Sequence, residues 1–524
     1  MKKILIIIFL GLLVYFPIFF NGFVWDDEVM FEKVGGISPT TYFRPAISII
    51  YSTIHSIFGI NPFFFHLFQL SFHIATAVLI FYLFKRFFKE TVALILAIIF
   101  LVHPALVEAV SFASAMQESA FTFVGLVGLY LFVIPVKTGI QKQNWIPDQV
   151  GDDTKGIIFL LIALLMKETA IVFFPLVFFY ILIFIKDKRK ILVNYFVLSA
   201  ILLIGYLLFR FSGGNFYTQG QTGLFPIMRV SLLTRLINIP AIILFYLTKI
   251  FYPMNLAIAQ HWVIKTISFQ NFWLPLMIEI ALFIGAVTYS IKTKKKPFLF
   301  FFIWFVIGLI PHLQLIPLNM TVAERWLYFP IIGMLGMIGT MLSKLQIINH
   351  KSQINFKSQI KSKTVFILLI IIITTFSIRS FIRVQNWRNG LTLFGHDIRA
   401  NSSFDLNNNY GVELFRIGRY DEAKKYFEKS TKLAPYWWVN WNNLGASFEH
   451  EKNYQKAAEY YQKSVSNGQY YLAYENLAKI LVLYGKDKKK TKEFLQKALM
   501  IFPESQNLQT INQYFLRGND INYN

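Results

Sequence analysis

Apolar runs of about 18 residues or more recur from the first residues of the chain to about position 381, and clusters of lysine and arginine separate them. A run of that length is enough for a helix to cross the hydrocarbon core of a bilayer, and a water-soluble fold could not hide so many of them. Composition agrees, since 55% of the 524 residues are hydrophobic, 18% are aromatic and only 15% are charged. The formal net charge of +23 does not point to nucleic acid. The cations fall between apolar runs, at Lys2/Lys3, Lys85/Arg86/Lys89, Lys186/Lys188/Arg189/Lys190, Lys292/Lys294/Lys295/Lys296 and from Lys344 to Lys363. That is the positive-inside pattern of cytoplasmic loops. The absence of cysteine excludes disulfides, thiolate metal sites and cysteine nucleophiles.

These clusters predict an all-α polytopic membrane protein of about 11 spans. The run from Ile4 to Phe20 reads as a retained first helix rather than a signal peptide, because no small-x-small cleavage site follows it. It leads into an outer loop, Asn21–Ile60, and the next spans cover residues 62–84, 91–109 and 117–135. Gly156–Ile185 is interrupted by Lys167-Glu168-Thr169. Only an out-and-back hairpin turning there keeps the Lys186–Lys190 cluster inside. Residues 190–211 go out, and Leu232–Ile258 lies re-entrant or along the outer surface with Arg235 and Lys249 near headgroups. Residues 273–291, 298–316, 326–343 and 364–381 complete the count. Two polar inserts, Lys137–Lys155 and Asn349–Lys363, read as flexible inside loops.

Beyond Trp387 the sequence turns polar and repeats with a period of 34 residues: Gly411/Gly445, Ala423/Ala457, Phe427/Tyr461 and Ser430/Ser464. This is the helix-turn-helix signature of tetratricopeptide repeats, whose stacked pairs form an α-solenoid with a concave groove. The expected domains are a membrane part, residues 1–384, and an extracytoplasmic repeat part, residues 385–524, with units near 404–437, 438–471 and 472–505. Tyr436, Trp437, Trp438 and Trp441 could line the groove. Core packing is an equal reading for Trp441.

Span parity puts one set of polar residues together at the outer ends of the helices. They are Asp26, Asp27, Glu28, Arg44, His103, Glu108, Gln117, Glu118, Lys167, Glu168, Arg210, Glu324 and Arg325. Charges at membrane depth are costly and usually face a cavity or a partner. The set therefore predicts a polar outer-leaflet cavity carrying both acids and cations.

Phe23-Val-Trp-Asp-Asp-Glu, Tyr42-Phe-Arg-Pro, Phe58-Gly-Ile-Asn-Pro-Phe-Phe-Phe-His, His73, His103-Pro-Ala-Leu-Val-Glu-Ala-Val, Lys167-Glu-Thr and Ala323-Glu-Arg-Trp-Leu-Tyr-Phe-Pro follow one another along the chain. In that order, and with terminal repeats, they resemble the C-type membrane glycosyltransferases. The resemblance is to the transmembrane and tetratricopeptide-repeat O-mannosyltransferases and their bacterial relatives. It departs from them in the Lys137–Lys155 insert and in an array of only about three repeats. The resemblance implies a polyprenyl-phosphate sugar as donor and a hydroxyl on a protein or glycan as acceptor, with transfer at the outer face of a bacterial inner membrane. It makes Asp27, or else Asp26, the base that takes the acceptor proton. Arg325 and Lys167, supported by Arg210 and Arg44, would hold the donor phosphate. Glu28, His103, Glu108 and Glu324 would support them. A divalent cation is left open. The alternatives are a non-enzymatic membrane-anchored repeat scaffold, which gives the inserted charges no role, and a transporter, which would favour internal symmetry between halves.

Overall fold

The computed structural model describes residues 1–33, 43–133, 150–186, 188–212, 223–343 and 356–517. Among them the chain is helical, with an isolated bridge between Gln260 and Val322 as its only β pairing. The chain divides into two compact units, Met1–Asn389 and Gly390–Asn524.

The first unit holds α1 (Lys2–Val14), α2 (Pro45–Phe58), α3 (Pro62–Phe84), α4 (Glu90–Leu101), α5 (Val107–Ser111), α6 (Met116–Val133), α7 (Val150–Met166), α8 (Phe173–Phe184), α9 (Lys188–Ser212), α10 (Leu232–Phe251), α11 (Leu274–Thr293), α12 (Lys296–Leu309), α13 (Pro330–Leu342) and α14 (Phe356–Asn386). Among the described residues, six helices are long and apolar enough to cross a membrane, or seven if a pair bent by 52° between Leu101 and Pro104 is one span. The others expected to span are shorter. Exposed apolar side chains run along α9, α11 and α14, among them Phe196, Ile204, Met277, Phe283, Ile367 and Ile371.

One end of this unit collects the basic turns. Phe87, in the turn after α3, meets Phe184 at the end of α8 at 5.6 Å and Phe301 near the start of α12 at 5.1 Å between ring centroids. Lys3 pairs with Glu90 at 2.7 Å. The Gly156–Ile185 segment does go out and back. Gly156 packs on Phe132 near one end of α6, Lys167 reaches Glu118 near the other, and Phe184 returns to Phe87. Its outgoing half approaches α6 closely because both carry glycine. A Cβ on Gly128 would lie 2.8 Å from the Gly156 carbonyl oxygen.

Several expectations need correction. The segment expected to be an outer loop, Asn21–Ile60, contains a helix, α2, with Ile47, Tyr51 and Ile54 buried. The span expected over residues 91–109 is broken, because Pro104 disfavours helical geometry at the residue before it, and His103 is extended. α10 lies across the end opposite the basic turns: Arg235 bonds the Gln314 carbonyl at 3.0 Å, and the Ile250 carbonyl meets His103 at 3.0 Å. Lys249, expected near headgroups, does not stand out from the protein surface. It is buried and bonds the carbonyls of Met254 and Asn255. Helix begins at Val150 and Phe356, inside the inserts read as loops, and residues 137–149 and 349–355 lie outside the described residues.

The second unit comprises α15 (Gly390–Ala400), α16 (Phe404–Arg416), α17 (Tyr420–Leu433), α18 (Trp438–His450), α19 (Tyr454–Asn467), α20 (Tyr471–Tyr484), α21 (Lys488–Ile501) and α22 (Gln506–Arg517). The 34-residue period is visible bond by bond. Ser430 Oγ donates to the Phe404 carbonyl at 2.7 Å, and Ser464 Oγ repeats this with Trp438 at 2.7 Å. A Cβ on Gly411 would strike Phe427 at 2.7 Å, and one on Gly445 would strike Tyr461 at 2.7 Å, so each small residue lets its helix pair close. Asparagines staple successive units: Asn443 donates to Asn408 at 2.9 Å and Asn476 to Asn442 at 3.0 Å. Trp441 donates to the Pro435 carbonyl at 2.7 Å and stacks on Tyr460, which makes it part of the packing between helices.

Candidate functional site

The broken stretch Glu108–Glu118, between α4 and the body of α6, is the ledge on which the site is assembled. Short helical turns replace a continuous helix here, so successive side chains leave in several directions rather than on one stripe.

The first loop docks on this ledge through Asp27. Its Oδ1 accepts the Ser114 N–H at 2.6 Å and the Ser114 hydroxyl as well, and Oδ2 faces the Val24 N–H at 3.4 Å. Asp27 is fully buried, whereas Asp26 is exposed. Burial pushes the Asp27 carboxyl up to about 7 against the Ser114 hydrogen bonds that lower it. Trp25, just before the acids, holds a left-handed φ of 54° and stacks on Phe112 at 6.0 Å. A bulky residue in that conformation is strained, and its surroundings must hold it there. Glu28 opens a short π-helical turn, Glu28–Lys33. Tyr51 of α2 donates to the Ala113 carbonyl at 2.9 Å and lies within electrostatic reach of Asp27.

Each proposed phosphate cation is paired with a carboxylate. Arg325 bonds Glu108 through both its guanidinium and its own backbone N–H, the latter at 3.0 Å. The Glu108 side chain is fully buried and that of Arg325 is 11% exposed. Lys167 pairs with Glu118, both nearly sealed from solvent. Arg44 forks onto Glu168 at 3.0 and 2.6 Å, and Arg210 stands 4.0 Å from the same carboxylate while bonding Tyr206 at 2.7 Å.

Glu324 and His103 have more structural surroundings. Glu324 accepts the Ala257 N–H at 2.8 Å, and burial pushes its carboxyl up to about 8. The two ring nitrogens of His103 are used within the fold, Nδ1 accepting from the Ala105 N–H at 3.3 Å and Nε2 meeting the Ile250 carbonyl at 3.0 Å. His103 thus ties the helix break to α10. Among the described residues, no group of three or more His, Asp or Glu is placed to hold a metal ion.

The structure therefore brings the first-loop acids, Arg44, Lys167, Arg210, Glu108, Glu324 and Arg325 to the end of the unit opposite the basic turns. Sequence reasoning missed Ser114, Tyr51 and Trp25. Ser114 and Tyr51 carry no motif, and only the position of Trp25 next to the paired acids could have singled it out.

Tetratricopeptide repeat models match residues 404–437 and 440–467. Over 120 residues the chain is 32% identical to human protein O-mannosyl-transferase TMTC3, covering 23% of this chain and 12% of that protein. Over 114 residues it is 28% identical to protein O-mannosyl-transferase Tmtc2 of Drosophila melanogaster, covering 22% of this chain and 11% of the fly protein. The chain is distantly related to protein O-mannosyl-transferases. A second fly relative, Tmtc3, is 27% identical over 132 residues, 25% of this chain and 13% of its own length. The matches thus span about an eighth or less of the relatives' length. No solved structure matches the chain.

Proposed function

We propose that the protein is a membrane glycosyltransferase that moves a sugar, mannose by analogy with its relatives, from a polyprenyl phosphate to an acceptor hydroxyl. The observation that carries this reading is the gathering of first-loop acids and paired cations from six separate segments at one end of the helical unit. A phosphate leaving group needs cations, and a hydroxyl nucleophile needs a base, so the reaction requires such a mixture of charges. The long apolar helices other than α10 would span the membrane, about 11 passes counting the shorter ones, with α10 along the outer surface although it too is long and apolar enough to cross. The site end and the repeats would then lie outside, on a bacterial inner membrane.

In this reading the donor phosphate takes over the cations from their carboxylates. Arg325 is already aimed by Glu108 at two points, so little ordering is required when the ligand arrives. Lys167 supplies a compact second charge, and Arg44 and Arg210 flank it. Asp27 is the base suited by its raised carboxyl, which is poised near neutral pH. It is sealed against Ser114, so the first loop must lift for the acceptor to reach it. The exposure of Asp26 favours it as the second candidate. The repeats would present a protein or glycan acceptor.

Mass spectrometry of outer-face glycoconjugates from cells lacking the protein tests this reading. A sugar-bearing product should vanish, return with the intact chain and stay absent with an Asp26→Asn/Asp27→Asn double variant that still reaches the membrane. Return with the double variant would favour the alternative, a repeat scaffold without chemistry of its own.

A further inference from the structure

His312 is a buried histidine that neither the sequence motifs nor the pairings above account for. It ends the 3-10 turn Ile310–His312 that follows α12, and it is 5% exposed. Its ring stacks on Trp326 with centroids 5.0 Å apart and planes 10° from parallel. The Arg325 guanidinium lies 5.9 Å over the same indole. His312 is also within electrostatic reach of the neighbours Lys167 and Glu168 and of Arg325, from two separate segments. Its Nδ1 is buried without a hydrogen-bond partner.

A buried ring nitrogen usually has a partner, because leaving one unmade is destabilising. Here the orphan stands among the residues assigned to one ligand group. We propose that His312 is a further contact for the donor, its Nδ1 hydrogen-bonding to the phosphate oxygens that Lys167 and Arg325 attract. This rests on the donor reading given under Proposed function. The Trp326 stack fixes the ring plane, so the direction of the missing bond is set before the ligand binds. An N–H there would complete a donor set of different shapes: a compact ammonium, a planar fork and a rigid single donor.

The test is binding of polyprenyl phosphate without a sugar to the full-length protein in lipid nanodiscs, which isolates the phosphate contact. His312→Phe keeps a ring for the Trp326 stack and loses the nitrogen. His312→Asn places an amide N–H near the position of Nδ1. His312→Phe should bind about 10- to 100-fold more weakly, the range for a hydrogen bond to a charged group. His312→Asn should recover most of that loss. Unchanged binding by His312→Phe, with wild type binding normally, would overturn the assignment alone. Equal weakening in both variants would assign His312 to packing and would also overturn it. A wild-type protein that binds no polyprenyl phosphate would overturn the donor reading and this inference together.

Discussion

Arg325 and Glu108 are separated by 217 residues in sequence, yet Glu108 fixes both the guanidinium and the backbone of Arg325. Removing one partner of a buried pair leaves the other charge uncompensated, at a cost of about 3–5 kcal/mol. Arg325→Ala should therefore lower thermal stability as well as donor affinity. Arg325→Lys retains the charge and separates the two effects. It should leave the melting temperature nearer wild type while raising the donor KM, because a point charge replaces the two-pronged contact. The sign of the pH response follows from Asp27. A base acts ionised, and burial raises this carboxyl to about 7, so transfer should fall about tenfold per pH unit below that value and level off above it. Ser114→Ala removes the hydroxyl bond that helps to hold the carboxyl down, leaves the backbone N–H bond in place, and should move the inflection to higher pH. A flat profile from about pH 5 to 8 would instead assign the base to another group. The linked stability effect has the opposite slope. Between about pH 4 and 7 the folded state keeps a proton that the unfolded chain has lost, so stability falls as pH rises through that window. The charged members of the site were legible in the sequence because charges near apolar runs demand a role. Ser114 and His312 were not, since a serine and a histidine acquire meaning only from what surrounds them.

Elements were legible where a period or a breaker stands in the sequence. The repeats declare themselves through the small residues Gly411 and Gly445 and the buried serines Ser430 and Ser464, whose contacts recur after 34 residues. Pro104 marked the break in the span expected over 91–109, but length and hydrophobicity outweighed it in that reading. Helix α2 was overlooked because it is too short to span. Its core-facing residues Ile47, Tyr51 and Ile54 nevertheless keep helical spacing. The contact between α6 and α7 gives a prediction at this scale. Gly128→Leu would force a side chain into space where even a Cβ meets Leu160 at 2.7 Å and the Gly156 carbonyl at 2.8 Å. Overpacking of this kind costs about 1–3 kcal/mol. Because Lys167 directly follows α7, donor affinity should fall together with the melting temperature of the detergent-solubilised protein. Loss of stability with donor affinity intact would separate this contact from the site.

At the scale of the whole molecule, counting basic clusters assigns to one end residues that are scattered from Asp26 to Arg325. Charge parity is a global constraint, and one misread segment reverses everything after it. The hairpin at Lys167 was therefore decisive, and the structure has it turn beside Glu118. Labelling of single cysteines introduced at residue 28, at the exposed position 319 near Arg325 in the sequence and in the repeats should occur from the outside of intact cells, and labelling at residue 188 only after permeabilisation. Repeats labelled only after permeabilisation would contradict the parity scheme. The most direct test of the account is sugar transfer by the purified full-length protein from a labelled polyprenyl-phosphate mannose to an acceptor, with donor binding measured in parallel. The account predicts turnover by wild type. It predicts a loss of about 100- to 10,000-fold in Asp27→Asn, the typical contribution of a general base, with donor binding retained. It predicts weakened binding and slowed transfer together in Arg325→Lys. Wild-type turnover that survives in both Asp26→Asn and Asp27→Asn, or donor binding indifferent to Arg325, would contradict it.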